Sequence, residues 1–355
     1  MNSLRLIGLM SGTSLDGIDL ADVVFTKNEK WSFERIRTKS YPFPSDLKLA
    51  LSTAEKLPAP KLFELSAKLG VFYGKLVNAY LVENKINKND IDAVASHGQT
   101  IFHQPEKGYT VQIGNGPEGA VHSGLTWIGD FRTKNVALGG SGAPLVPIGD
   151  FELFSDQADT FLNLGGFSNL SYKKDGKIIA YDVSPANIVL NKLANKIANI
   201  EYDKGGNLGN QGVINQNLLK ELNALDFYAK PHPKSLGTEW LEKAFYPILD
   251  NYSENHDTLR TIYEHIGQQI GQNLTTIQSQ KVLVTGGGAH NKLLLDCISK
   301  HFNGTLKVPN REIIDFKEAI IFAFLGALRL IGEDNIYTEY TGARKNTSGG
   351  VIHLP

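Results

Sequence analysis

The stretch IGLMSGTSLDGIDLADVVF at residues 7–25 places a turn of small and hydroxyl-bearing residues between two runs with the apolar, β-branched composition of strands. In this turn Gly12 and Gly17 let the backbone approach a ligand closely, because glycine has no side chain to hold it away. Three hydroxyl side chains accompany the N–H groups of the turn: Ser11, Thr13 and Ser14. Asp16 and Asp19 would repel a bare phosphate but suit one that arrives with Mg²⁺. The stretch predicts a phosphate-binding hairpin, and it leaves open an ordinary glycine turn with polar residues.

Bulk composition favours a small-molecule partner. The 36 basic and 37 acidic side chains give a formal charge of -1, which offers no footprint for nucleic acid or an anionic membrane. The single cysteine, Cys297, excludes internal disulfides and thiolate zinc clusters. The first residues, MNSLRLIGLM, lack the features of a signal peptide, and no run approaches a membrane span. The chain is therefore expected to be a soluble, cytoplasmic protein.

An internal repeat indicates two lobes. The 355 residues exceed the size at which one core stops growing. The strand, glycine turn and strand of residues 4–25, with a third strand-like run at 33–41, have a counterpart at 159–183, where a second turn stands at Asp175-Gly176. Helical patterns follow in both halves, at 46–57 and 60–84 and again at 187–199, 212–224 and 257–277. Each half then has a strand that runs into a glycine, at 91–100 and 281–291. The predicted fold is α/β, with one mixed sheet in each lobe and a ligand cleft between the lobes.

Two further glycine clusters suit a nucleotide. The second hairpin, NLGGFSNL at 163–170, offers small and polar groups for phosphates: Gly165, Gly166, Ser168 and Asn169. No Gly-x-x-x-x-Gly-Lys-Ser/Thr sequence occurs, which rules out a P-loop. Gly286, Gly287 and Gly288 follow the apolar strand VLVT and precede a helix, so a base or ribose could lie against bare backbone. A tight strand-to-helix turn explains the same glycines without a ligand.

Asp182 is the best candidate for a general base. It stands at the end of the strand-like run KIIAYDV and just before a predicted helix at Asn187. A strand-end acid that opens into a cleft suits proton abstraction, whereas a helix-capping or turn aspartate is the alternative. His97, followed by GQT, is a candidate for a hydrogen-bonded polar residue or a substrate contact. Arg132 in DFR is a candidate contact for an anionic or polyhydroxyl substrate, with a surface salt bridge as the alternative.

Together these residues resemble the anhydro-N-acetylmuramic acid kinases, a family in the superfamily of actin, sugar kinases and the Hsp70 ATPase. The resemblance covers nearly the whole chain. Its most specific motifs are GTSLDGID at 12–19 and GGSGAPLVP at 139–147. The other motifs are SHGQT (96–100), DFR (130–132), NLGGFSN (163–169), Asp182 with Pro185 and Asn187, TGGGAHN (285–291) and EAIIFAFLGAL (318–328).

The resemblance implies a two-lobed, actin-like ATPase built from a duplicated RNase H-like domain. One lobe is expected at residues 1–130 together with 329–355, and the other at 131–328. The implied enzyme is an ATP-dependent kinase of cell-wall sugar recycling. It opens the 1,6-anhydro ring of anhydro-N-acetylmuramic acid with water at C1 and phosphorylates O6, which yields N-acetylmuramic acid 6-phosphate and ADP. A homodimer is what the family suggests.

The resemblance also implies residue roles. Asp182 would deprotonate the attacking water. Residues expected to hold ATP are Gly12, Thr13, Ser14, Leu15, Asp16, Gly17, Ile18, Asp19, Gly165, Gly166, Asn169, Gly286, Gly287 and Gly288. Mg²⁺ is expected at Asp16 and Asp19. Residues expected to contact the amino sugar are His97, Gln99, Arg132, Asn187 and Glu318.

The chain departs from the family pattern in several motifs. The usual Gly-Pro-Gly-Asn is Ser184-Pro185-Ala186-Asn187, and the usual Lys-Ser-Thr-Gly is KSLG at 234–237. Ser184 and Ala186 are expected to add bulk beside Asp182, which bears on the fit of the sugar ring. Two other functions stay open: a nucleotide-dependent binding or regulatory module on the same fold, which would not need Asp182, and a kinase for another sugar, which would not need attack by water.

Overall fold

The computed structural model describes residues 3–12, 15, 17–232 and 234–355. Thirteen strands follow one another along the chain: β1 (Ser3–Ser11), β2 (Ile18–Lys27), β3 (Trp31–Tyr41), β4 (Ala93–Ser96), β5 (Gln99–Gln104), β6 (Tyr109–Ile113), β7 (Trp127–Gly129), β8 (Thr160–Leu164), β9 (Phe167–Lys174), β10 (Lys177–Pro185), β11 (Lys281–Thr285), β12 (Thr305–Lys307) and β13 (Val351–His353), all within this described part.

The α-helices of the described residues are α1 (Ser45–Ser52), α2 (Ala59–Glu83), α3 (Glu118–Ser123), α4 (Thr133–Ala137), α5 (Pro147–Leu153), α6 (Asn187–Ala198), α7 (Gln216–Asn223), α8 (Asp226–Ala229), α9 (Thr238–Trp240), α10 (Tyr246–Leu249), α11 (His256–Thr276), α12 (Lys292–Lys300), α13 (Arg311–Leu330) and α14 (Thr338–Thr341). None of them combines the length and the apolar character needed to cross a membrane.

The chain divides into two compact units. Unit 1 contains Met1–Phe154 and Phe316–Pro355, and unit 2 contains Ser155–Asp315. In unit 1 a six-stranded sheet has the order β13-β7-β4-β1-β2-β3, and β5 pairs with β6 in a separate hairpin. In unit 2 a five-stranded sheet has the order β10-β9-β8-β11-β12.

The two sheets repeat one plan. In each unit three consecutive strands form an antiparallel meander, β1-β2-β3 or β8-β9-β10. The first strand of each meander then pairs in parallel with a later strand, β4 or β11. The sequence prediction of an α/β fold with a repeated meander is confirmed.

Apolar spacing positions the long helices. Helix α2 buries Leu65, Leu69, Tyr73 and Tyr80 on one face, and α11 buries residues of the same three-and-four spacing, among them Ile262 and Ile266. These faces belong to two separate apolar cores, one in each unit. The predicted helices at 60–84 and 257–277 are confirmed within one residue at each end.

Shorter helices deviate from the predicted ranges at their ends. The helix expected at 212–224 begins at Gln216, because the Asn215 side chain accepts hydrogen bonds from the N–H groups of Asn217 and Leu218 and so caps it. The helix expected at 46–57 ends at Ser52 and is followed by a short 3₁₀ turn, Ala54–Lys56.

The unit boundaries lie at 154/155 and 315/316, whereas the sequence suggested 130/131 and 328/329. Packing explains the difference. Phe154, after α5, stacks edge-on against Phe33 of β3 with ring centroids 5.3 Å apart. A Cβ on Gly8 of β1 would lie 1.9 Å from the carbonyl oxygen of Ala319, so α13 lies directly on the first sheet. Both α5 and most of α13 therefore belong to unit 1.

Candidate active-site residues

The hairpin turn of unit 1 lies between Ser11, the last residue of β1, and Ile18, the first of β2, and these two residues are paired across the strands. Gly12 accepts at its carbonyl oxygen from the Leu15 N–H at 3.2 Å and from Gln99 Nε2 at 3.3 Å. The side chains of Leu15 and Ile18 lie in the apolar core. These two residues could therefore contact a ligand only through their backbone, and the predicted contacts at Thr13, Ser14 and Asp16 lie outside the described residues.

Gly17 has a structural reason to be glycine. A Cβ at this position would lie 2.8 Å from the carbonyl oxygen of Tyr41, where β3 ends. Asp19, two residues further on, accepts a hydrogen bond from the Ser40 hydroxyl across the β2–β3 pair. The glycine requirement at 17 thus comes from strand packing, while the carboxylate at 19 lies on the partly exposed side of the strand.

His97 holds Arg132. The His97 Nδ1–H donates to the Gly98 carbonyl oxygen at 2.9 Å, which leaves Nε2 as an acceptor. Arg132 donates to this Nε2 from Nε at 3.2 Å and from Nη2 at 2.9 Å, and its Nη1 donates to the Gly142 carbonyl at 2.7 Å. Burial, and then the Arg132 charge, lower the pKa of His97 to about 3, so the ring is neutral. Both ring nitrogens are engaged inside unit 1, so His97 supports Arg132, and the sugar contact predicted at His97 stays a prediction.

Charged groups cluster around Glu318 on α13. Burial raises the pKa of Glu318, with Asp19 and Asp150 acting in the same direction and Lys317 and Arg132 against it. Lys317 Nζ donates to Asp150 Oδ1 at 2.9 Å, and the side chains of this pair are only 4% and 5% exposed. Burial also lowers the pKa of Arg132 to about 10. The arrangement keeps a fixed guanidinium and a carboxylate of raised pKa in one neighbourhood, and both are partly exposed.

The carboxylates of this neighbourhood fit Mg²⁺ by their chemistry. Asp19 and Glu318 are close enough for the charge of one to raise the pKa of the other, a repulsion that a bound cation relieves. Magnesium binds one or two carboxylates and completes its shell with water and phosphate. Within the described residues no three His, Cys, Asp or Glu side chains form a metal cluster, and the second predicted ligand, Asp16, lies outside them.

In unit 2 a row of polar residues crosses the sheet. Asp182 on β10 is paired with Asn169 on β9, and Asn169 is paired with Asn163 on β8. Directly opposed residues of antiparallel strands share a face, so the three side chains lie side by side. All three are partly exposed. The structure therefore brings together the predicted base and one predicted phosphate residue, and it adds Asn163.

The Asp182 carboxylate has the properties of a general base. Its Oδ2 accepts from the Leu236 N–H at 2.7 Å. Burial raises the pKa of Asp182 to about 6, and the Leu236 hydrogen bond opposes this shift. At neutral pH the group is mainly ionised yet more basic than an ordinary aspartate, which suits proton abstraction. Helix α6 begins at Asn187 after an Ala186 N-cap without a side-chain hydrogen bond, so the alternative of a capping aspartate is wrong.

The glycines in the two turns of unit 2 differ in whether protein packing explains them. Gly286 has a positive φ of 80°, and a Cβ on it would lie 2.5 Å from Asn163 Oδ1. A Cβ on Gly288 would lie 2.7 Å from the Leu164 Cβ. Protein packing therefore explains these two glycines. By contrast, a Cβ on Gly166 would be 3.8 Å from Ile188, and one on Gly287 would be 3.8 Å from Asn187 Nδ2. Packing does not explain these two exposed glycines.

Asn187 joins these turns. Its Nδ2 donates to the Leu164 carbonyl at 2.9 Å, and its backbone N–H donates to the Gly165 carbonyl at 3.1 Å. The side chain lies next to Gly287. The structure thus places Asn187, a predicted sugar contact, against the glycine turns.

Comparison with known proteins decides the family. The family model described as anhydro-N-acetylmuramic acid kinase matches residues 4–355. The chain belongs to this family. It is 35% identical to the anhydro-N-acetylmuramic acid kinase of Vibrio cholerae serotype O1 over 369 residues, which is 98% of each chain. It is 34% identical to the kinase of that name from Aliivibrio fischeri, with 98% of this chain and 99% of the relative covered. The kinase of Sulfurovum is 34% identical with full coverage of both chains.

Distant likenesses to solved structures also exist. The activator of the 2-hydroxyisocaproyl-CoA dehydratase from Clostridium difficile has a TM-score of 0.44 at 13% identity, with 92% of this chain and 97% of the other covered. A ROK family glucokinase from Streptomyces griseus has a TM-score of 0.35 at 12% identity, with 90% and 98% covered. Likenesses this distant bear neither on the fold nor on the function of the chain.

Two of the departures from the anhydro-N-acetylmuramic acid kinase pattern, Ser184 and Ala186, are buried. The Ser184 hydroxyl shares a 2.9 Å hydrogen bond with the Ser168 hydroxyl, and both residues are fully buried. Ala186 is fully buried as well. A β-bulge between Asp182 and Ser184 separates the base from this buried pair. The expected bulk of Ser184 and Ala186 therefore lies in the buried interior of unit 2. The register shift places Asp182 opposite Asn169 and Ser184 opposite Ser168, two adjacent residues whose side chains point to opposite faces of β9.

Three parts of the site were missed by the sequence reasoning. The Leu236 N–H comes from a loop 54 residues after the aspartate that it contacts. Asn163 joins the polar row only through strand register, although it stands in the NLGGFSN motif. Lys317 is adjacent to Glu318 in sequence, but its buried partner Asp150 comes from α5. No local pattern links any of these pairs.

Proposed function

We propose that this kinase uses ATP to phosphorylate O6 of 1,6-anhydro-N-acetylmuramic acid while water adds to C1, with Asp182 as the general base. The observation that supports the proposal is the Asp182 carboxylate, which has a pKa raised to about 6 and is oriented by one backbone N–H. The C1–O6 bond breaks as the water oxygen bonds to C1, and Asp182 takes the water proton. O6 attacks the γ-phosphorus, and ADP leaves. The product is N-acetylmuramic acid 6-phosphate.

The nucleotide is assigned to glycine turns in both units. The turn after β1, from Gly12 to Asp19, and the turn at Gly165 and Gly166 would bind phosphates through backbone N–H groups. Asn169, beside Asp182 in the polar row, would donate to a phosphate oxygen. Gly287 supports an adenosine contact at the 286–288 turn, because it is exposed and has space that protein packing does not fill.

Asp19 and Asp16 would hold Mg²⁺. When bound, the ion neutralises phosphate charge and fixes the γ-phosphoryl group for in-line transfer. Asp19 is oriented for this by the hydrogen bond from Ser40.

The sugar is assigned to Arg132, Glu318 and Gln99. Arg132, fixed by His97 and the Gly142 carbonyl, would bind the lactyl carboxylate. Glu318 would contact sugar hydroxyls. Gln99 is 2% exposed, and its Oε1 has no hydrogen-bond partner among the described residues, so this oxygen would accept from a hydroxyl group. The sugar contacts predicted at His97 and Asn187 stay predictions. The predicted homodimer and cytoplasmic location stay predictions.

Mass spectrometry of the product formed in ¹⁸O-water tests the proposal. The reaction with anhydro-sugar and ATP is expected to give one ¹⁸O at C1 and one new phosphate in the same molecule. A phosphorylated product whose ring is still closed would contradict attack by water and favour a kinase for another sugar. Nucleotide binding without a phosphorylated product would favour a binding or regulatory module.

A further inference from the structure

We propose that the loop formed by residues 231–232 and 234–237, called here the base loop, positions Asp182 through the backbone N–H of Leu236. This inference rests on the proposed role of Asp182 as the general base. The loop lies far from the glycine turns in sequence. Its function would be to fix one carboxylate oxygen, so that the other oxygen faces the attacking water.

Two hydrogen bonds made by backbone groups of the base loop join it to Asp182 on β10. β10 is the outer strand of the unit 2 sheet, so its free edge can accept another partner. There the Asp182 N–H donates to the Lys234 carbonyl at 3.1 Å, and the Leu236 N–H donates to Asp182 Oδ2 at 2.7 Å. The loop therefore holds both the backbone and the side chain of Asp182.

Side chains of the base loop also contact other residues of unit 2, namely Tyr181 and Phe227. The His232 ring stacks on the Tyr181 ring with centroids 5.4 Å apart and an angle of 12° between the planes. Lys234 Nζ donates to the Phe227 carbonyl at 3.3 Å and lies 4.7 Å from the centre of the Phe227 ring. Phe227 is buried on α8. These contacts keep the N–H of Leu236 in place before a substrate binds.

Hydrogen bonds of Tyr228 and His265 connect α8 to α11 and α7. The Tyr228 hydroxyl is 2.8 Å from Nε2 of His265, a fully buried residue of α11. Burial lowers the pKa of His265 to about 3, so this ring is neutral and the contact does not switch near neutral pH. The His265 Nδ1 is 2.7 Å from Asn223 Oδ1 of α7. The base loop is thus connected through α8 to α11 and α7.

Few charged groups act on Asp182 besides this loop. On the loop, Lys234 directs its ammonium group to the Phe227 and Tyr228 carbonyls, and His232 lies against Tyr181. On β9 the opposed residue is the neutral Asn169. Among the described residues, Leu236 supplies the hydrogen bond that stabilises the ionised carboxylate. Loss of this bond should make Asp182 protonate at a higher pH.

The test replaces the Leu236 N–H and follows the pH profile of kcat/KM in the full-length enzyme. Leu236→Pro removes the N–H, and incorporation of the α-hydroxy analogue of leucine at 236 replaces it by an ester oxygen with the side chain retained. Leu236→Ala keeps the N–H and is the conservative control. Ser235→Pro imposes a similar restraint one residue earlier, where the N–H makes no hydrogen bond within the described residues.

We expect the acid limb of the profile to move up by about one pH unit in the ester protein and in the Leu236→Pro variant. The two control variants should keep the wild-type limb. An unmoved limb in the ester protein, or an equal shift in Ser235→Pro, would overturn the positioning role. Asp182→Asn separates this failure from that of the proposed function: if that variant keeps wild-type turnover, Asp182 is not the base at all. The ester protein keeps the test valid if Leu236→Pro does not fold.

Discussion

At the scale of single residues, Asp182 and His97 show how burial decides a role. Burial favours the neutral form of both side chains: it raises the pKa of Asp182 to about 6 and lowers the pKa of His97 to about 3. Asp182 thereby becomes a better proton acceptor near neutral pH, while His97 stops being one and serves as a fixed acceptor for Arg132. The same physical effect makes one residue reactive and the other a support.

Replacement of the base by its neutral isostere should separate activity from stability. Asp182→Asn is expected to lower turnover by about 10²-fold to 10⁴-fold, because no group is left to take the water proton. Folding raises the pKa of Asp182 above its ordinary 3.8, so the ionised side chain costs stability at pH values above about 6 and costs none below 3.8. The variant should therefore be more stable by about 1–2 kcal/mol at pH 7.5 and gain little near pH 4.

Denaturant unfolding at both pH values checks this prediction. Asp175→Asn is the matched control, since Asp175 lies in an exposed turn of the same unit with a φ of 51° that asparagine also adopts. The control should change neither turnover nor stability. A loss of stability in Asp182→Asn at pH 7.5 would show that the carboxylate is held by contacts that favour its charge.

The pH dependence of kcat/KM should follow the same carboxylate. Asp182 must be ionised to accept a proton, so the rate is expected to fall about tenfold for each pH unit below about 6. His97 cannot produce this limb, because its pKa is about 3. A steady-state profile between pH 4.5 and 8 measures the effect. An acid limb that begins near pH 4 would mean that the pKa of Asp182 is not raised in the free enzyme.

Removal of the His97 acceptor should weaken sugar binding without affecting ATP. His97→Leu leaves two Arg132 N–H donors without their partner, and the guanidinium would lose its orientation. We expect KM for the sugar to rise about 10-fold to 100-fold, which corresponds to about 1.4–2.8 kcal/mol. His97→Gln offers an amide oxygen in place of Nε2 and should restore part of the loss. Equal changes in the two KM values would argue for a general structural defect.

At the scale of elements, much of the chain could be predicted because the signals are local. The periodicity of α2 and α11 and the composition of β1 and β2 specify those elements through neighbouring residues. The bond from Leu236 to Asp182 could not be predicted, because it joins a loop to a strand 54 residues earlier. The environment of Ser184 was also misjudged, since a β-bulge changes which side of β10 each residue occupies.

The glycine turn after β11 gives a matched pair of variants. Gly287→Ala adds a methyl group with no protein atom closer than 3.8 Å, so stability should change little. KM for ATP should nevertheless rise tenfold or more, because the methyl group holds adenosine away from the backbone. Gly288→Ala places its Cβ 2.7 Å from the Leu164 Cβ and should cost about 1–3 kcal/mol of stability. Isothermal titration with an ATP analogue and thermal unfolding distinguish the two. Unchanged ATP affinity in Gly287→Ala would remove this turn from the nucleotide site.

At the scale of the whole molecule, the repeated meander could be predicted but the division of the chain could not. The repeat can be recognised from strand and glycine patterns that recur along the sequence. The boundary depends on contacts far apart in sequence, such as that of Gly8 with Ala319. Unit 1 takes residues from both ends of the chain, whereas unit 2 is one continuous segment. The C-terminal segment is therefore a structural part of the first unit.

Removal of residues 346–355 should loosen unit 1 and leave unit 2 intact. This truncation deletes β13, the antiparallel partner of β7, together with the Gly349 carbonyl and N–H that pair with the buried Asn335 side chain. Amide hydrogen exchange in β7 and β4 should accelerate at least tenfold, a loss of about 1.4 kcal/mol of local protection. Exchange in α11 should not change, because its buried face packs into the separate core of unit 2.

Removal of Leu354 and Pro355 alone, both exposed, is the control and should alter neither unit. Equal acceleration in α11 after the longer truncation would show that the two cores unfold as one, in which case the C-terminal segment stabilises the whole molecule.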